Sequence, residues 1–219
     1  MGYGSAPPRR PRRGFSLRGF MRTVFLIDGF NFYHSIKSLP PKFHWIDYLE
    51  FCKNFLLKSD TLESVNYFTA LAKWIDGAEK RHMALIDACK LKGINVIFGK
   101  FKRKEQQCPL CNKVFHRHEE KATDVNIALY AYRFASFGLE KIVFVTGDTD
   151  MIPSINLIRN DFPNVKVGVI FPYERHNREL KNKACFSYKT RLDLLEKCLL
   201  PPILTKPNGK KIVCPKEWA

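Results

Sequence analysis

Two apolar runs that each lead into an acid constrain this chain more than any other feature. They are residues 23–28 (TVFLID) and residues 141–146 (KIVFVT), the second followed at once by Gly147-Asp148-Thr149-Asp150. Short apolar runs bounded by turn signals read as strands buried on both faces. Residues 64–71, 94–98 and 165–170 have the same character. Helical patterns lie between them: 31–36, 45–57 beyond Pro40-Pro41, 76 to about 92, 123–137, 150–160, 175–183 and 190–199. Asp76 with Glu79 reads as a capping box, and Gly93 as the end of that helix. In the 123–137 helix the apolar positions Val125, Ala128, Leu129 and Tyr132 follow i, i+3, i+4, i+7. Pro153 is tolerated in the first turn of its helix.

Strands alternating with helices imply βαβ units and a mainly parallel sheet, an α/β fold. Right-handed crossovers then bring every strand C-terminus to one edge, where open α/β sheets bind their ligands. Asp28 ends the first strand, Asp148 and Asp150 follow the KIVFVT strand, and Asp124 opens the helix that precedes it. Three separate segments thus deliver acids to one edge. Carboxylates that crowd together repel, and a hard divalent cation, Mg²⁺ or Mn²⁺, relieves that repulsion through oxygen ligands. Each acid also has a plain reading: Asp28 caps a turn, Asp124 answers a helix dipole, and Asp150 caps a helix. Asn31 brings two amide donors beside Asp28, or caps the next helix. Lys121 stands three residues before Asp124, where it steadies carboxylates or pairs with a phosphate. Glu119-Glu120 reads as a solvated pair, with one of the two a weak candidate for the site.

The rest of the chain sets the context. Residues 1–20 carry five arginines and no acid and read as a disordered basic arm. Residues 21–200 form the domain, with a Cys/His-bearing insert at about 100–120, and the Pro- and Lys-rich residues 201–219 form a tail over the surface. The net charge of +16 points to a polyanionic partner, with nucleic acid first. The arm supplies only five of the 37 basic residues, so this does not depend on it. Lys100, Lys102, Arg103 and Lys104 offer phosphate contacts, and Phe98 and Phe101 offer stacking surfaces. No apolar run approaches the roughly 18–20 residues of a membrane span. Seven cysteines without an export signal point to a cytoplasmic chain with reduced thiols. Within the insert, Cys108-Pro-Leu-Cys111 followed by His116 and His118 reads as a structural Zn²⁺ site. The His-x-His spacing is tight, so Cys108, Cys111 and one histidine are preferred, with Cys185 or Cys214 open as the fourth ligand.

Three segments in this order and spacing, VFLIDGFNFYHS (24–35), EKATDVNIALYAY (120–132) and VFVTGDTDMIPSI (143–155), resemble the NYN domain, a PIN-like nuclease family, and its LabA-like branch in particular. The resemblance spans about residues 21–200. It implies a three-layer α/β/α sandwich of PIN-like type and metal-dependent cleavage of single-stranded RNA. Asp28, Asp124, Asp148 and Asp150 would be the acidic set and Asn31 the polar residue of the DGxN motif. Thr149 and Met151 depart from the more usual Ser and Phe around Asp150. The expected activity is phosphodiester hydrolysis by water activated on carboxylate-held Mg²⁺ or Mn²⁺. Two other readings are weighed against it. One is a non-catalytic RNA-binding or adaptor protein on the same fold, expected to have lost one of these acids. The other is a haloacid-dehalogenase-type phosphatase suggested by Asp148-x-Asp150, disfavoured because Gly147 intervenes after the strand and no Thr or Val follows the second acid.

Overall fold

The computed structural model describes residues 20–72, 74–107 and 109–219. The basic arm, apart from Phe20, and Cys108 lie outside them. Strands β1 (Met21–Asp28), β2 (Asp60–Thr69) and β3 (Asn95–Phe98) precede an antiparallel hairpin of β4 (Lys100–Gln107) and β5 (Val114–Lys121). Strands β6 (Lys141–Val145), β7 (Lys166–Phe171) and β8 (Phe186–Lys189) complete a six-stranded sheet in the order β3-β2-β1-β6-β7-β8. Every pair in that sheet is parallel. The two apolar runs are therefore neighbours at its centre, with Ile27 opposite Val145.

Their alternation explains why both runs are apolar throughout. Phe25, Ile27, Val143 and Val145 enter one core, while Val24, Leu26, Ile142 and Phe144 enter the other, on the opposite face of the sheet. Helices α1 (Gly29–Ile36), α2 (Tyr48–Lys53) and α3 (Ala78–Leu91) serve the first core. Helices α4 (Thr123–Ser136), α5 (Ile152–Asp161) and α6 (Arg178–Lys183) serve the second. Helix α7 (Leu192–Lys197) closes over the first core through Leu195. The fold is the expected α/β sandwich.

Several expectations are corrected. The helix read at 45–57 is only α2, because the Asp47 carboxylate accepts from the Leu49 and Glu50 N–H groups and starts the helix there. Asp76 caps nothing: α3 starts after Gly77 in the left-handed region (φ 69°). On α4 the apolar stripe read from the sequence faces out, with Val125 60% and Leu129 63% exposed. A second stripe, Ile127, Ala131, Phe134 and Ala135, packs inward instead, with Phe68, Leu26 and Phe144 in the same core. The sixth strand, β8, was not foreseen, and the tail is not a loose surface segment. It forms a second hairpin, β9 (Ile203–Thr205) with β10 (Lys211–Val213), and buries Ile212 in the first core. The Trp45 indole N–H donates to the Pro201 carbonyl (2.9 Å) and holds the start of that tail.

At the N-terminal end of the sheet the Lys141 ammonium meets the Asp60 carboxylate at 2.7 Å, with side chains 4% and 0% exposed. Asp60 also accepts from the Leu57 N–H (2.8 Å). Removing the cation leaves a buried carboxylate without its charge partner. Lys141→Met is therefore expected to lower the unfolding free energy by about 3–5 kcal/mol. Urea denaturation near neutral pH reads this, and a loss under about 1 kcal/mol contradicts it.

Candidate active site

The chain runs from β1 outward to β2 and β3 on one side, and from β6 to β7 and β8 on the other. The order therefore reverses between β1 and β6, and at such a switch point a crevice opens beyond the strand C-termini. Asp28 ends β1, and Thr146, Gly147 and Asp148 follow β6 at this point. Helix α4 crosses from the β3 side to β6, so its first turn, with Asp124, starts at the same edge. Topology places Asp28, Asp124, Asp148 and Asp150 at the same edge of the sheet.

Hydrogen bonds fix the crevice floor. Asp28 caps α1 by accepting from the Asn31 N–H (2.9 Å), and its other oxygen accepts from the Thr146 hydroxyl (3.0 Å). The Asn31 side-chain oxygen accepts from the Gly147 N–H (3.0 Å), which ties α1 to the segment after β6. The Asp148 N–H donates to Thr146 Oγ1 (3.1 Å), and its carboxylate accepts from the Asp150 N–H (3.0 Å). Asp148, rather than Asp150, is thus the capping acid of this turn. Gly29 is required where α1 leaves β1: a Cβ there would sit 2.6 Å from the Phe68 carbonyl oxygen and from the Tyr67 ring.

The acids are held at an electrostatic cost. Burial lifts the Asp28 carboxyl from its ordinary value of 3.8 to about 7; its bonds from Asn31 and Thr146 oppose this, and the charges of Asp124 and Glu120 add to it. Asp124 is raised by burial and then by the charges of Asp148 and Asp150. Glu120 is raised by burial, opposed by a bond from the Thr123 hydroxyl, with Asp124 again adding to the rise. Asp124 is thus the common neighbour of the other four carboxylates, Asp28, Glu120, Asp148 and Asp150. Glu120 was singled out only weakly from sequence, and Thr146 not at all. Among the described residues no three of His, Cys, Asp and Glu already surround one point. The two observations differ in reach, since charge repulsion acts well beyond a metal–oxygen bond of about 2.1 Å. An all-oxygen, mutually repelling set fits a hard divalent cation such as Mg²⁺ or Mn²⁺.

The hairpin divides the remaining expected residues. Phe101 pairs with Glu120 and Arg103 with His118, so these four share one face, while Lys102 and Lys104 alternate onto the other with Glu119 and Lys121. There Glu119 pairs with Lys121 (2.9 Å) and Lys104 (3.5 Å). Lys100, Phe98, Phe101, Arg103 and His118 line a cleft at the hairpin's root together with Trp74. Of the zinc set, Cys111 is exposed in the hairpin turn, His116 stands 3.8 Å from Glu105, and the His118 ring stacks on Trp74. Cys185 leads into β8, at the sheet edge opposite the hairpin, and is not brought to it.

A family model described as the NYN domain matches residues 22–190, most of the chain. The chain belongs to the NYN domain family. Members of this family are generally nucleases on a PIN-like fold. A curated protein, 6-hydroxy-3-succinoylpyridine 3-monooxygenase HspA of Pseudomonas putida (strain DSM 28022 / S16), is 26% identical over 240 residues, covering 90% of this chain and 75% of that protein. The crystal structure of a protein of unknown function, VPA0982 from Vibrio parahaemolyticus RIMD 2210633, superposes with a TM-score of 0.53 at 19% identity, over 85% of this chain and all of that one. That similarity shows the fold alone. No helix among the described residues is long and apolar enough to cross a membrane.

Proposed function

We propose that this NYN domain is a divalent-cation-dependent ribonuclease whose centre is the crevice between β1 and β6. The observation that carries the reading is the crowding of Asp28, Asp124, Asp148, Asp150 and Glu120 at the switch point of a strongly basic chain. Asp28, Asp124 and Asp148 would hold Mg²⁺ or Mn²⁺, with Asp150 and Glu120 flanking them. When bound, such an ion lowers the pKa of water and draws charge from phosphoryl oxygens.

The chain's own residues do the rest. Thr146 and the Asn31 N–H orient the two Asp28 oxygens, and Asp148 is pinned by its own cap. Asn31 has its oxygen committed to Gly147, so its amide nitrogen keeps two donors for a phosphate oxygen. A binding protein on the same fold needs none of these acids, and all of them are retained. The monooxygenase name belongs to a relative of 26% identity, and the acid set supports hydrolysis more directly.

The test is cleavage of end-labelled single-stranded RNA and DNA by purified protein, with Mn²⁺ or with EDTA. Cleavage of RNA with Mn²⁺, absent in EDTA and restored on adding the ion back, is the expected result. Binding without cleavage under every condition would favour the adaptor reading.

A further inference from the structure

Beside the acidic crevice lies a cleft of about 530 Å³, within the roughly 300–1,000 Å³ range of small-ligand sites. Its walls are aromatic and cationic. The Trp74 indole lies flat on the His118 ring, with centroids 3.7 Å apart and planes 5° off parallel. Phe101 meets the same indole edge-on at 4.6 Å and reaches Phe30 of α1 at 6.1 Å. His118 covers one face of the indole, yet Trp74 remains 42% exposed and lines the cleft. Arg103 is exposed on the same wall.

The cleft and the acids share their supports. Phe30 follows Asp28 by two residues. Gly99, in the cleft wall, packs so tightly on the turn into α4 that a Cβ there would strike the Thr123 side chain and stand 2.9 Å from the Lys121 carbonyl oxygen. Asp124 is the next residue of that turn. The hairpin face bearing Phe101, Arg103 and His118 continues into Glu120, one of the crowded acids.

Resting on the nuclease reading, we infer that this cleft seats one unstacked base of a single-stranded substrate, on the Trp74–Phe101–His118 platform, with Arg103 on an adjoining phosphate. Every base has a π-face, so a platform of this kind accepts single strands with little sequence preference. A duplex keeps its bases stacked and offers none to the cleft. Lys100, Lys102, Lys104 and Lys121, on the other hairpin face with Glu119, are not part of the seat.

The test is fluorescence anisotropy of the full chain in EDTA with labelled oligo(U), oligo(dT) and a blunt duplex of the same length. Trp74→Ala is expected to weaken binding of single strands by roughly five- to a hundredfold. Trp74→Phe should recover most of that, and Arg103→Ala should lower the dependence of log affinity on log salt by about one. A similar loss for oligo(U) and oligo(dT) supports a base seat, and the strand that wild type binds more tightly names the sugar.

Wild-type affinity in a folded Trp74→Ala variant overturns the inference, as does a duplex bound as tightly as single strands. Where Trp74→Ala fails to fold, Trp74→Phe and Arg103→Ala carry the decision: single-strand affinity and salt dependence unchanged in both overturn the seat. If Trp74→Ala binds normally while wild type cleaves, the seat falls and the nuclease stands. If binding depends on Trp74 and wild type never cleaves, the seat stands on a binding protein and the nuclease reading falls.

Discussion

Asp148→Asn is expected to reduce Mn²⁺-dependent RNA cleavage by more than about a hundredfold, the upper end of what losing even an outer-shell partner of a metal site costs. The fold should survive, because an asparagine oxygen can still accept from the Asp150 N–H that Asp148 now caps. The change removes one of the charges that press on Asp124 while sparing the Thr146 link to Asp28. Melting temperature and circular dichroism should therefore match wild type within error while the rate collapses. A variant that cleaves at the wild-type rate removes Asp148 from the site.

The second large effect concerns stability and runs the other way. Burial holds the Asp28 proton up to about 7, against an ordinary value of 3.8. In the unfolded chain the carboxyl ionises near pH 4, so the folded state binds the extra proton between that value and about 7. The group's favourable contribution is thus full below about pH 4 and is lost as pH rises through about 7. Above that, ionised Asp28 burdens the fold by on the order of 4 kcal/mol. Asp28→Asn removes the charge and leaves the Thr146 hydroxyl without its acceptor, at a cost of about 1 kcal/mol. The variant is expected to be more stable than wild type by about 2–4 kcal/mol near pH 8, and to lose that advantage near pH 4. Denaturation at the two pH values checks it; an equal or negative difference near pH 8 contradicts the buried, crowded carboxylate. The same variant should be inactive, a stability gain bought with function.

These acids were legible because the residues around them answer to strong, local rules. A strand covered on both faces must be apolar throughout, so TVFLID and KIVFVT announce the two central strands, and an acid closing such a run has nowhere to go but the sheet edge. The α4 face was harder. Val125, Leu129 and Tyr132 form one helical stripe, and Ile127, Ala131 and Phe134 another; only the sheet beneath decides which is buried. Strand β8, Phe186-Ser187-Tyr188-Lys189, is a short edge strand with two exposed residues, and carries no apolar run. The tail hides its role for a similar reason: a single buried residue across its two short strands, Ile212 on β10, is below what periodicity can register.

The hairpin shows the limit most clearly. The run Lys100 to Lys104 reads as one basic patch, but a strand sends alternate side chains to opposite faces. Register with β5 therefore separates Arg103 from Lys100, Lys102 and Lys104. The same register puts Glu120 with the acids and Glu119 among the lysines. Trp74 lies in a loop far from both motifs, and nothing in its local sequence ties it to His118.

That carboxylates remote in sequence act as one group is tested most directly by calorimetric titration of Mn²⁺ into wild-type protein and into Asp124→Asn. Asp124 lies on α4, apart from both strand ends, so its loss weakens binding only if all three segments share the ion. Saturable binding by wild type, weakened at least about tenfold in Asp124→Asn, is the predicted result. Equal affinity in the two proteins, or no binding by either, would contradict it.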